Sequence, residues 1–231
     1  TQQLVVTGIA ANAAPFKPDV VISNSDVYFT YQKLLSDAQM ANKLQRQERS
    51  SSGIIFYWGM QKQFPQLDLH NIFFTTDYRA EFQSIFKDKQ PYHDPTVYVN
   101  ITAKQDSTHA PDGCENWFVL VNTPAGNERS DAIAFTKAQV IDKLSNLVGT
   151  NIERYIATEK TLTPSLIEKQ TGSYMGALYG TASNNRMAAF MRHSNTSGKY
   201  KGLYFAGGTV HPGGGIPLCL RSAKLVADAI D

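Results

Sequence analysis

The sequence predicts a mixed fold, α+β / α/β, in which a sheet-based domain accompanies a strand–loop–helix unit. Three observations carry this. From about residue 28 to 160 four or more apolar, β-favouring runs recur with few helices among them. Residues 131–148 form one long stretch with helical periodicity, and the last thirty residues pass from an apolar run through glycines into a second helix.

In chain order, Leu4–Ile9 and Asp19–Ser23 read as strands joined by a loop rich in Ala, Asn and Pro. Tyr28–Leu35 sets aromatic residues beside Lys33; it reads as a core helix in preference to a membrane-surface one. Ser36–Glu48 is a mostly polar, surface helix that Ser52-Gly53 terminates. Ile54–Met60, Asn71–Thr75, Thr96–Thr102 and Asn116–Asn122 supply strands, with a helix over Tyr78–Lys87. Ser130 can cap the helix 131–148, which Gly149 ends. Its Ile133, Val140, Ile141, Leu144 and Val148 share a face, and core packing explains them. Ile152–Thr161 reads as strand, and Thr163-Pro164 starts a short helix.

The C-terminal segment is the most informative. Leu203-Tyr204-Phe205-Ala206 reads as a strand, and five glycines follow between Gly207 and Gly215. Glycine reaches positive φ and lets the backbone approach a flat or charged ligand. Pro217 suits a first helical turn, and Leu218, Leu225, Val226, Ala229 and Ile230 form the expected packing stripe, with Ala223 and Ala227 small beside them. The N-terminus of this helix would aim free N–H groups and its positive dipole end at the loop's occupant. A nucleotide or a flavin fits that description.

Gly207-Gly208-Thr209 followed by His211-Pro212-Gly213-Gly214-Gly215-Ile216-Pro217 resembles the C-terminal flavin-binding signature of bacterial-type carotenoid desaturases, the FAD enzymes related to phytoene desaturase. Pro18–Asp26 with Tyr31 and Leu34-Leu35 is similar to a mid-chain strand and helix start of these enzymes. Thr163-Pro164 and Gly172–Gly180 are similar to their segment returning toward the flavin. The three motifs stand in family order and span nearly the whole chain. Family members open with a G-x-G-x-x-G turn, and residues 1–100 hold nothing like it. The expectation is therefore the C-terminal half of a longer enzyme, with the N-terminal half of the same enzyme as its partner.

The resemblance implies part of a Rossmann-like FAD-binding domain in residues 1–27 and 171–231, and a substrate-binding domain over 28–170. FAD would meet Gly207, Gly208, Thr209, Gly214, Gly215, Ile216 and Pro217. A long apolar polyene would meet Phe56, Trp58, Tyr174, Met175 and Tyr179, in a tunnel also lined by Ile54, Phe73 and Trp117. The implied reaction introduces C=C double bonds into a linear carotenoid, and the Gly-Gly variant with Leu218-Cys219-Leu220 is nearer to 3,4-desaturases. A carotenoid cis–trans isomerase, another oxidoreductase of the flavin amine-oxidase superfamily and an inactive isolated interaction domain stand as alternatives. The implied setting is cytoplasmic, peripheral on the inner membrane, because the substrate lives in lipid.

Composition excludes other classes. A net charge of +2 without an aromatic-interleaved basic cluster gives no nucleic-acid footprint. Cys114 and Cys219 lack C-x-x-C spacing, so a reducing compartment is the default and Cys219 reads as a small buried hydrophobe. No G-x-S-x-G elbow is present, and His70, His93, His109, His193 and His211 show no metal-ligand spacing, so no metal is expected. His211 is expected to order the glycine loop. No residue is assigned a catalytic role, since a flavin carries the hard step itself.

Overall fold

The computed structural model describes residues 4–5, 9–11, 14–16, 18–126, 130–182 and 192–230. The chain divides into two units, one of residues 1–50 with 172–231 and one of residues 51–171.

The first unit opens with β1 (Leu4–Val5), a hairpin of β2 (Ile9–Ala11) and β3 (Ala14–Phe16), and β4 (Val21–Ser23). Residues 6–8 of the expected strand Leu4–Ile9 lie outside the described residues. Asp26 then starts α1 (Val27–Phe29), its Oδ1 accepting from Tyr28 N at 2.9 Å. The helix runs on as a π-helical turn, Thr30–Leu34. Asp37 caps α2 (Ala38–Gln45) by accepting from Met40 N at 3.2 Å.

The second unit is built on five antiparallel strands. These are β5 (Ser52–Met60), β6 (His70–Phe73), β7 (Val97–Asn100), β8 (Glu115–Thr123) and β9 (Ile156–Leu162), in the order β6-β7-β8-β5-β9. Between β6 and β7, α3 (Tyr78–Gln83) is capped by Asp77 and passes into a π-helical turn over Ser84–Asp88. The helices α4 (Ser130–Val148) and α5 (Pro164–Thr171) flank β9 in sequence. Strand periodicity decides the core: Ile54, Phe56, Trp58 and Met60 share one sheet face and are buried with Val140 and Leu144 of α4. Glu115 sits buried at the end of this face. Its carboxylate accepts from Phe64 N at 2.9 Å and Trp117 Nε1 at 2.8 Å, and pairs with Lys104 at 2.7 Å. The strand expected over Ile152–Thr161 begins with a 3-10 turn, Ile152–Tyr155, because the Asn151 side chain accepts from Glu153 N and caps a helical start.

The chain returns to the first unit with β10 (Tyr200–Lys201), parallel to β1, and β11 (Leu203–Phe205), parallel to β4, before α6 (Ile216–Ile230). Val27, Tyr28, Tyr31, Ala41 and Leu44 pack with Leu203, Phe205 and Val210 in one core. Residues 28–50, expected with the sheet domain, therefore belong to the glycine-loop unit, because their apolar faces are used there. The stripe expected on the last helix also differs. Ser222 and Val226 are buried, whereas Leu218, Ala229 and Ile230 are exposed.

Candidate functional site

Most glycines of the loop are accounted for by other parts of the chain. A Cβ on Gly214 would stand 2.7 Å from Tyr179 Cα, and one on Gly207 would stand 2.9 Å from Asn24 Nδ2. On Gly208 it would lie 3.3 Å from Gly214 Cα, and on Gly213 3.2 Å from Arg192 Cζ. Gly180 is needed in turn, because a Cβ there would meet Thr209 Cα at 2.8 Å. Gly215 differs: it has φ +95° and nothing within 4 Å of a Cβ position. Beside it, Ile216 and Pro217 at the start of α6 are exposed. An open glycine, an exposed apolar shoulder and a helix N-terminus are what a flat, electron-rich ring requires. The residues present fit such a group at 215–217, while 207, 208 and 214 shape the loop.

A buried polar network holds the loop. Asn195 Nδ2 is within hydrogen-bond distance of Phe205 O at 3.0 Å, His211 O at 2.9 Å and Ser222 Oγ at 2.9 Å. Ser222 Oγ accepts from Gly207 N at 3.1 Å. Arg192 Nη1 donates to Gly208 O at 2.9 Å and its Nη2 to Thr181 O at 2.5 Å. Thr209 Oγ1 accepts from Val27 N at 3.1 Å, and Asn24 Nδ2 donates to Ala206 O at 2.9 Å. His211 contributes to loop order through its backbone, donating to His193 O, while its ring is exposed. Cys219 is half-buried. Arg192, Asn195 and Ser222 escaped the sequence reading. The available signal was Ser222 itself, a hydroxyl one helical turn before the buried Val226 on the inward side of the last helix.

Tyr174, Met175 and Tyr179 lie in the same unit as the loop. Tyr174 packs on Tyr28, with ring centroids 3.9 Å apart, and its N donates to Asp26 Oδ2 at 3.1 Å. Met175 takes φ +59°, and Tyr179 is half exposed against Gly214. Arg49 completes this cluster. Its guanidinium is buried, 3.7 Å from Asp26 Oδ2 and 4.8 Å from the Tyr174 ring centroid. Burial lowers its pKa against the pull of Asp26. Among the described residues its Nε and Nη1 find no hydrogen-bond acceptor.

Phe56 and Trp58 lie in the other unit and are fully buried, stacked at 5.3 Å, with Trp58 Nε1 donating to Glu159 Oε2 at 2.9 Å. With Ile54 and Trp117, and Phe73 at the margin, they form packed core, not an open lining. The opposite sheet face is the open one. Tyr57 pairs with Phe118, Leu120 with Tyr98, and Tyr98 with Ile72 across the strands. Tyr57 and Ile72 are exposed, and Phe118, Leu120 and Tyr98 are half-buried. This face offers rings and aliphatic surface in its middle, with His70, Asn100 and Lys160 in the same cross-strand row as Phe118 and Tyr57.

Burial lowers the pKa of His193, opposed by its hydrogen bond with the Ser194 carbonyl, and its Nε2 stands 3.0 Å from Tyr31 Oη. Among the described residues no group of three or more His, Cys, Asp or Glu could hold a metal ion. None of the described helices is long and apolar enough to cross a membrane.

No family model matches the sequence. It is 52% identical over 227 residues, 97% of this chain and 46% of the relative, to a 1-hydroxycarotenoid 3,4-desaturase of Flavobacterium sp. (strain P99-3). To a 4,4'-diaponeurosporene oxygenase of Staphylococcus aureus (strain MSSA476) it is 38% identical over 237 residues, 100% of this chain and 48% of that protein. In fold it is similar to an oxidoreductase from Methanosarcina mazei, with a TM-score of 0.56 and 14% identity over 98% of this chain and 48% of that one. The chain thus belongs by homology to the carotenoid desaturase family, and it spans about half the length of the curated relatives it matches.

Proposed function

We propose that this chain is part of an FAD-dependent oxidoreductase that introduces C=C double bonds into a linear carotenoid. Its kinship along almost the whole chain with a hydroxycarotenoid desaturase carries the reading. The open sheet face of Tyr57, Tyr98, Phe118 and Leu120 supports it, because a polyene has no hydrogen-bonding groups and must be held by shape and dispersion. That face replaces Phe56 and Trp58 as the proposed substrate surface; Tyr174, Met175 and Tyr179 remain candidates beside the loop.

In this reading bound FAD would supply the acceptor for the hydride that desaturation removes, while the neighbouring carbon loses a proton. The chain's own part is to orient and to shield. Gly215, Ile216 and Pro217 give the flat ring a close backbone approach, and the positive end of α6 favours its electron-rich edge by about 0.3–1 kcal/mol. Gly207, Gly208, Thr209 and Gly214 keep the loop in the shape that Asn195, Ser222 and Arg192 impose. The FAD-binding domain is Rossmann-like and completed from elsewhere in a longer protein. A parallel sheet is normally covered on both faces, whereas among the described residues β4 and β11 form a two-stranded pair with Ile22 exposed. The polyene dissolves in lipid, so the enzyme works peripherally, at the cytoplasmic surface of the inner membrane.

The test is to co-express the chain with the remaining half of a family member and to record the flavin spectrum. Incubation with liposome-held carotenoid follows. Flavin bands, a polyene absorbance moved to longer wavelength and a product lighter by two hydrogens are expected. A product that gains oxygen would move the assignment to the oxygenase relatives, and absence of flavin would overturn it.

A further inference from the structure

The helix of residues 78–88 is built inside out. Its inward positions are Glu81, buried, and Ile85. The Glu81 carboxylate accepts from Thr96 N and Thr96 Oγ1, both at 2.7 Å. Outward, at helical spacing, stand Tyr78, Phe82 and Phe86, whose rings follow one another at 5.2 Å and 4.9 Å. Tyr78 is 59% and Phe82 42% exposed, and Phe86 is half-buried. Phe74, just before the helix, is 68% exposed, and Ile72 on β6 is 53% exposed. A helix that faces water would place these side chains the other way round. An exposed row of this size marks an interaction surface.

The charges around the row suit one occupant. Arg79, Lys87 and Lys89 are exposed, and Lys89 Nζ lies 6.0 Å from the Phe86 ring centroid. Asp77 is exposed and caps the helix start, Asp94 is ion-paired with Lys143, and Asp88 is exposed as well. Aromatic rings with long basic side chains beside them match a bilayer interface: rings settle at the headgroup level while Lys and Arg reach the phosphates. The row also leads somewhere. Ile72 shares its sheet face with Tyr98, Leu120 and Phe118, so the exposed aromatic helix lies at the edge strand of the open apolar face.

We propose that Ile72, Phe74, Tyr78, Phe82 and Phe86, flanked by Arg79, Lys87 and Lys89, form a docking face for an anionic lipid surface. Its use as the point of polyene entry rests on the carotenoid reading; the docking itself does not. The test uses the longest natural polypeptide that carries this chain, with vesicles of phosphatidylcholine alone or mixed with phosphatidylglycerol. The indole introduced by Phe82→Trp, or in a second variant by Tyr78→Trp, should shift to the blue on vesicle addition and be quenched by brominated lipid. The pair Phe74→Ser and Phe82→Ser should reduce the vesicle-bound fraction about tenfold or more. Lys87→Glu with Lys89→Glu should weaken binding to the anionic vesicles selectively. An indole emission already blue and indifferent to vesicles would show the face covered by protein and overturn the proposal. Binding that survives the serine variants would overturn it as well. Carotenoid turnover in detergent, measured alongside, reports on the enzymatic reading separately.

Discussion

Asn195 Nδ2 and Ser222 Oγ meet at 2.9 Å in the interior, joining the segment before β10 to the middle of α6. The same hydroxyl takes Gly207 N, and the same amide reaches Phe205 O and His211 O, so one pair fixes both ends of the glycine loop. Ser222→Ala leaves the Gly207 N–H without its acceptor, at a cost of about 1–3 kcal/mol. Asn195→Ala removes an amide whose two N–H groups serve the acceptors around it and should cost more. Urea unfolding of both variants and of the double variant checks this; a double-variant loss equal to the sum of the single losses would deny the coupling.

Gly214→Ala should destabilise the chain with no ligand present. Its new methyl would stand 2.7 Å from Tyr179 Cα, a backbone atom that cannot turn aside. Overpacking of this kind costs roughly 1–3 kcal/mol. Gly215→Ala meets nothing within 4 Å, so its cost is the strain of φ +95°, about 1–2 kcal/mol. An unchanged urea midpoint for Gly214→Ala would mean that this glycine serves only a ligand.

Glu115→Ala should be among the most damaging changes in the second unit. It deprives Phe64 N and Trp117 Nε1 of their acceptor and removes the partner of Lys104 in a buried setting, for about 3 kcal/mol or more. Glu115→Gln keeps an acceptor oxygen and should lose less. Equal losses for the two variants in denaturant unfolding would show that the amide satisfies these donors no better than a methyl group.

The strands of the sheet and α4 were legible because period-two and helical alternation survive in the local sequence: Ile54–Met60 and Asn116–Asn122 fall within β5 and β8. Which face of that sheet is packed was not. Phe56 and Tyr57 are equally apolar to a reader of the sequence, and only the position of α4 separates them. The loop was recognisable from its glycines, but their reasons were not, since Gly180 meets Thr209 and Gly214 meets Tyr179 across some thirty residues. Residues 28–50 were misplaced for the same cause. Their partners Leu203 and Phe205 lie at the far end of the chain.

Stability should fall on mild acidification because of His193. Burial holds its folded pKa below the ordinary value of 6.5, against the Ser194 carbonyl, while Lys43 adds to the depression. The unfolded chain therefore binds the proton more readily, and stability present above about pH 6.5 is lost as the pH falls toward the folded value. The ring is hydrogen-bonded at both nitrogens, to Tyr31 Oη and Ser194 O. His193→Gln should flatten the slope of unfolding free energy against pH in that window. A slope unchanged in the variant would assign it to other groups.

The two faces of β5 should separate when function and stability are measured together. Phe56→Ala and Trp58→Ala open cavities in a fully buried core, costing about 3–5 kcal/mol, so activity would fall with folding. Tyr57 is 41% exposed and pairs with Phe118 on the open face, its ring 5.5 Å from that of Phe118. Tyr57→Ser should shift the urea midpoint little, while raising KM for a polyene several-fold in the assembled enzyme, because the lost ring contacts serve the substrate in place of the core. An unchanged KM for Tyr57→Ser and for Phe118→Ser would remove this face from substrate binding and return the question to Tyr174, Met175 and Tyr179.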